Sequence, residues 1–133
     1  MKAADTSLVV AAFASWHEKH NAARRVLDEG LRLAEHCALE TYSVLTRLPA
    51  PHRARGEIVR DFLAARFPRP LLRLSAPAYR NFLLGLPERE VAGGAAYDAL
   101  VAATAAEHDV ELVTCDRRAA AVYERYGVRI DYL

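Results

Sequence analysis

The 133-residue sequence is poor in cysteine and in lysine, with only Cys37, Cys115, Lys2 and Lys19. Both cysteines sit in strand-like apolar runs, and no other sign of an oxidising compartment accompanies them, so no disulfide framework is expected. No apolar run approaches the roughly 18 residues that a membrane span needs. The segment after Met1 carries Lys2 and then the acidic Asp5, with no small-residue cleavage site behind an apolar core, so no signal peptide is expected. No repeat, low-complexity tract or Gly/Ser linker divides the chain. The expectation is a cytoplasmic protein with no membrane segment and a single domain spanning residues 1–133.

The composition is that of an ordinary globular protein, 53% hydrophobic and 26% charged. Because lysine is scarce, the positive charge is almost all arginine, whose planar fork suits phosphate and carboxylate. The net charge of +1 is unevenly spread. Between Arg47 and Arg89, nine arginines face only Glu57, Asp61 and Glu88, a local balance of +6 against −5 elsewhere. A basic middle beside acidic ends fits a polyanion or an acidic partner. A solvated helical surface is the plainer alternative.

Proline and glycine punctuate a helix-like pattern: Pro49 and Pro51, Pro68 and Pro70, and Pro87 each close a stretch of helical spacing. Lys2–Ala4 reads as a first strand, and Leu8–Phe13 fits strand or helix equally well. Helices are expected over His20–Leu31, from Glu40 onward, over Arg53–Phe67, Ala76–Leu86, Ala95–His108 and Ala119–Tyr126. Further strands are expected over Leu33–Leu39, Pro70–Leu74, Val110–Cys115 and Val128–Tyr132. Alternating helix and strand implies crossover connections and a parallel sheet. The fold class expected is α/β, a three-layer α/β/α domain with a central, mostly parallel sheet flanked by helices.

In such sheets ligands gather beyond the carboxyl ends of the strands, which singles out four acids. Asp5 follows the first strand, Asp116 follows Val110–Cys115, and Glu40 stands where the second strand gives way to a helix. Asp98 lies in the first turn of an otherwise apolar helix. Each has an ordinary alternative: Asp98 and Glu40 as helix-dipole partners, Asp5 and Asp116 as turn residues. Four on one edge are harder to explain that way. Two carboxylates about 5 Å apart at an effective dielectric near 20 repel by roughly 3 kcal/mol. Such a group is tolerable when some members protonate or a cation neutralises them. A donor set without cysteine or histidine selects a hard ion, Mg²⁺ or Mn²⁺. Such an ion would activate water and stabilise charge on a scissile phosphate. Thr6, Ser7 and Thr114 are close enough in sequence to orient a carboxylate or a water.

Asp5-Thr6-Ser7, the run from Leu39 to Leu48, the run from Gly93 to Ala105 and Leu112 to Arg118 resemble, in order, the motif blocks of PIN-domain proteins. Within that family the chain resembles the VapC-type ribonuclease toxins of bacterial toxin–antitoxin pairs. The resemblance implies a PIN-like fold and an Mg²⁺- or Mn²⁺-dependent endoribonuclease acting on RNA. It also implies a homodimer inhibited by a VapB-type antitoxin. It places Asp5, Glu40, Asp98 and Asp116 on the family's acidic positions as catalytic residues and metal ligands, with Asp5 and Asp98 foremost as direct ligands. Thr114 falls on its Ser/Thr position, and Thr6 is a supporting residue. Ala4 departs from the pattern, which more usually has a larger branched residue before the first acid.

His17 and His20 read as partly buried, hydrogen-bonded residues rather than ligands, and Tyr42 and Tyr97 as core residues or base-stacking rings. A receiver domain would need a late lysine that neither Lys2 nor Lys19 supplies, and a dehalogenase-like phosphatase would need an acid two residues after Asp5, where Ser7 stands. A PIN module that binds RNA or a partner through a vestigial site remains the alternative.

Overall fold

The structure, a computed structural model, describes residues 1–133. Its elements in chain order are β1 (Lys2–Ala4), α1 (Thr6–Phe13), α2 (His20–Leu27), β2 (Arg32–Leu33), α3 (Glu35–Thr46) and α4 (Gly56–Arg66). There follow α5 (Ala76–Leu84), α6 (Ala95–Glu107), β3 (Glu111–Thr114), α7 (Arg117–Arg125) and β4 (Ile130–Tyr132). The sheet is wholly parallel in the order β2-β1-β3-β4, within the expected α/β/α layering. Ala4 pairs with Leu33 on one side and Val113 on the other, so β1 is central. The chain leaves β1 toward β2 and later returns to lay β3 along β1's other edge. That reversal makes the carboxyl ends of β1 and β3 the switch point, the place where open parallel sheets generally bind ligands.

Small residues let the layers close. Ala3, Ala4, Ala11, Ala12, Ala102 and Ala105 are buried with Leu33, Leu112 and Val113 in one core cluster. Ala4 is fully buried, so the small side chain before Asp5 stands in close packing. The ambiguous stretch after Asp5 is helical, with Leu8, Val9, Ala11 and Ala12 buried and Asp5 capping it. The turn after α7 needs its glycine: Gly127 has φ +73°, its N–H bonds Glu124, and Val128 N–H bonds the Tyr123 carbonyl. This paired arrangement closes the helix end and turns the chain into β4. At the start of α4, a Cβ on Gly56 would lie 2.5 Å from the Tyr42 hydroxyl, so glycine lets α3 and α4 meet there.

Two expected strands need correction. Leu33–Leu39 is a strand only at Arg32–Leu33, and α3 begins at Glu35. Glu40 therefore lies in the second turn of α3 rather than at a strand-to-helix junction, and Cys37 is a buried helical residue. Pro70–Leu74 contributes one parallel bridge, Ala34 with Leu72, and no strand. The proline-rich flanks explain this, since Pro68 and Pro70 cannot donate to a ladder. No helix is long and apolar enough to cross a membrane.

Candidate active site

Asp5 is the centre of the hydrogen bonding at the switch point. Its Oδ1 accepts from Ser7 Oγ at 2.6 Å and from the Leu8 amide at 3.0 Å. Its Oδ2 accepts from Thr114 Oγ1 at 2.5 Å and from the Tyr123 hydroxyl at 2.9 Å. The residue is 2% exposed. Burial raises its carboxyl above the usual range, against the pull of the hydrogen bonds from Ser7, Thr114, Leu8 and Tyr123. Tyr123 is itself held protonated, its phenol pushed far up by burial and by the charge of Asp5. It therefore stays a donor.

Thr114 joins this carboxylate to the next. While its hydroxyl donates to Asp5, its oxygen accepts the Asp116 amide at 3.0 Å. Ser7 does the same for Cys115, whose amide it accepts at 2.8 Å. Asp116 caps α7, its Oδ1 taking the amides of Arg118 and Ala119 at 2.9 and 3.3 Å. The turn role expected as an alternative for Asp5 and Asp116 is thus real for both. It coexists with their shared place on the sheet edge.

Glu40 reaches the same edge from α3, where Thr6, the first residue of α1, donates to its Oε1 at 2.5 Å. Its Oε2 lies 3.9 Å from His36 Nε2, one helical turn earlier. Asp98 stands half-buried in the first turn of α6 and makes no capping hydrogen bond. Its carboxyl is pushed up to about 6, first by burial and then by the charges of Asp116, Glu40 and Asp5. Asp116, Glu40 and Asp5 thus all lie within electrostatic reach of Asp98.

No three of these side chains converge closely enough, as they lie, to enclose an ion. The fit of a cation therefore rests on donor chemistry. All four donors are carboxylates, and Asp98 is destabilised by charges that a cation would offset. A hard ion that keeps several waters needs only one or two direct carboxylates. On that basis Mg²⁺ or Mn²⁺ fits the residues present.

Among the other residues singled out, His17 Nδ1 accepts the Lys19 amide at 3.0 Å and His20 Nδ1 lies 2.9 Å from the Ala11 carbonyl, both partly buried as expected. Tyr42 and Tyr97 are not core residues but exposed, at 42% and 58%. Burial pushes the thiol of Cys37 strongly up and that of Cys115 to about 11, so neither is a nucleophile near neutral pH. Sequence reasoning missed Tyr123 and His36. Helical spacing held the only signal, since Tyr123 lies seven residues after Asp116 and His36 four before Glu40.

Residues 3–125 match the family model described as "PIN domain". The chain is 49% identical over 131 residues to "Ribonuclease VapC40" of Mycobacterium tuberculosis, covering 98% of each chain. It is 41% identical over 129 residues to "Ribonuclease VapC27" of the same organism, covering 96% of this chain and 93% of the relative. Among solved structures it resembles FitAcB from Neisseria gonorrhoeae, with TM-score 0.69, 18% identity and coverage of 98% and 96%. It also resembles VapBC2 from Rickettsia felis bound to a DNA fragment from their promoter, with TM-score 0.67, 14% identity and coverage of 99% and 98%. The latter two likenesses concern the fold alone.

Proposed function

The chain belongs to the PIN-domain family, and from that premise we propose that it is a VapC-type, metal-dependent endoribonuclease toxin, residues 1–133 acting as one domain. The relatives VapC40 and VapC27 are named ribonucleases, and the identity to them extends over nearly the whole chain. Asp5, Glu40, Asp98 and Asp116 form the catalytic set, with Thr6 and Thr114 as supporting residues. The single observation that carries this reading is Asp98: a half-buried carboxyl pushed up to about 6, first by its burial and then by the charges of Asp116, Glu40 and Asp5.

Asp98, Asp116, Glu40 and Asp5 would hold Mg²⁺ or Mn²⁺, directly or through water. Such an ion supplies Lewis acidity at a phosphate and makes hydroxide available near neutral pH. Asp5 is the fixed member, since the hydrogen bonds from Ser7, Thr114, Leu8 and Tyr123 leave its carboxylate no freedom to swing. Thr114 fixes the backbone that carries Asp116 relative to Asp5. Glu40 has one oxygen tied to Thr6 and leaves Oε2 to accept a proton from a water at the scissile phosphate. Asp98 must be ionised to act, so acidification below about 6 opposes function.

The partners proposed with this reading are an RNA substrate, a VapB-type antitoxin and a second copy of the chain, in the cytoplasm. The Arg47–Arg89 segment supports them: α5 buries none of its residues, and Leu83 and Leu84 are exposed. The deciding assay incubates purified protein with a structured RNA and Mn²⁺, beside EDTA and Asp98→Asn controls. Metal-dependent cleavage by wild type alone supports the reading. RNA binding without cleavage would instead indicate a module with a vestigial site.

A further inference from the structure

Among the aromatic contacts of the molecule, one is a parallel stack. The rings of His36 and Tyr97 lie 5.3 Å apart between centroids, at an interplanar angle of 5°. Trp16 and His52 meet at 39°, and Tyr79 and Phe82 at 60°. The exposed ring of Tyr132 is already met by two cations, Lys19 and Arg117. Tyr97 differs from all of these. It is 58% exposed even though His36 stacks on its ring, so more than half of the residue stays accessible to solvent.

The stack is also placed beside the acids. Tyr97 directly precedes Asp98 in the first turn of α6, and His36 stands one turn before Glu40 on α3. His36 Nε2 is buried without a hydrogen-bond partner, 3.9 Å from Glu40. Beside that contact with Glu40, its ring backs the tyrosine. A ring held from behind by a second helix is pre-oriented, so a third planar group can add to the stack without ordering the tyrosine first.

We propose that Tyr97 is a stacking platform for an unpaired base of the RNA substrate, with His36 as the positioning residue that holds its ring. This rests on the ribonuclease reading above. The base must be unpaired, because a paired base hides its faces in the duplex. The contact tolerates any base, since each has a π face, and is worth about 1–3 kcal/mol in single-strand binding proteins. A nucleotide whose base lies on Tyr97 therefore sits beside Asp98 and Glu40.

The test uses 2′-O-methyl RNA oligonucleotides in which 2-aminopurine is moved one position at a time, bound to the full protein in Mg²⁺. Wild type quenches the probe at one or two positions. Tyr97→Ala loses that quench and about ten- to a hundredfold in affinity, while Tyr97→Phe retains both. On cleavable RNA the Tyr97→Ala defect falls in KM rather than kcat, as for binding shared by ground and transition states. No positional quench in wild type, equal affinity for Tyr97→Ala, or a Tyr97→Phe defect as large as that of alanine each overturns the platform. Those results with cleavage intact leave the ribonuclease standing; absence of cleavage by wild type with Mn²⁺ removes the ribonuclease reading instead.

Discussion

At the carboxyl edge of β1 and β3, both oxygens of Asp5 are hydrogen-bonded, and Thr114 and Ser7, 3.2 Å apart, each bond both Asp5 and a backbone amide. Across α4 and α5 the reverse holds: Val59 is the one buried residue of α4, and α5 has none. Of the nine arginines from Arg47 to Arg89, Arg55, Arg60, Arg66 and Arg73 pair with acids, mostly at the surface. Arg80 pairs with nothing and is exposed, and Arg47 bonds only the Ser43 hydroxyl. The acidic edge concentrates one sign of charge where the fold is tightest, and the basic arm displays the other where it is loosest. A site that must hold carboxylates against their own repulsion needs that rigidity. A surface that meets a polyanion needs reach instead.

Substitutions break the two regions differently. The largest effect is expected from Asp98→Asn, which should reduce metal-dependent RNA cleavage to background while the protein stays folded by circular dichroism. Asp5→Asn should also abolish cleavage, but an amide cannot accept all of Asp5's hydrogen bonds, so stability should fall as well, by about 1–3 kcal/mol in urea unfolding.

Thr114→Val tests whether the edge is held as well as charged. It removes a donor to a buried carboxylate and an acceptor for the Asp116 amide. Loss of about 1–3 kcal/mol in denaturant unfolding is expected, with cleavage reduced about ten- to a hundredfold as for other residues that orient metal ligands. Unchanged stability would mean that the threonine only fills a strand position.

The pH dependence sharpens the contrast further. Asp98 is raised from 3.8 to about 6 in the folded protein, so between those values the native state binds more protons than the unfolded chain. Stability therefore falls as pH rises through that window and is recovered on acidification. Metal-free wild type should gain stability from Asp98 as pH drops from 7 to 5, and Asp98→Asn should lack that component. The comparison of their melting temperatures across the window reads it directly.

The smallest effect belongs to the arm. Arg80→Ala should change stability by no more than about 0.5 kcal/mol, while lowering the log–log salt slope of RNA affinity by about one. An unchanged slope would mark Arg80 as a solvated side chain.

The places of Asp5 and Asp116 in the fold were legible because a strand's end is visible in sequence, and that of Asp98 because it is the lone charge among apolar neighbours. Glu40 was found but misplaced. The run from Leu31 to Leu39 has apolar side chains on both faces of what became α3, with Cys37 buried and Leu39 71% exposed, so neither helical nor strand period stood out. Tyr123, two helical turns from Asp116, was missed for another reason: its hydrogen bond to Asp5 spans 118 positions, and only the parallel pairing of β1 with β3 brings α7 there.

The central claim, that four acids are crowded into one site a cation relieves, is tested most directly by thermal melts of wild type and Asp98→Asn, each in EDTA and in Mn²⁺. In EDTA the variant should melt at or above wild type, because removing one charge relieves repulsion. At ten times the dissociation constant, Mn²⁺ should stabilise wild type by about 1.4 kcal/mol, a few degrees, and the variant clearly less. If Asp98→Asn melts lower in EDTA and responds to Mn²⁺ as wild type does, Asp98 only complements its helix dipole and the crowded site is wrong.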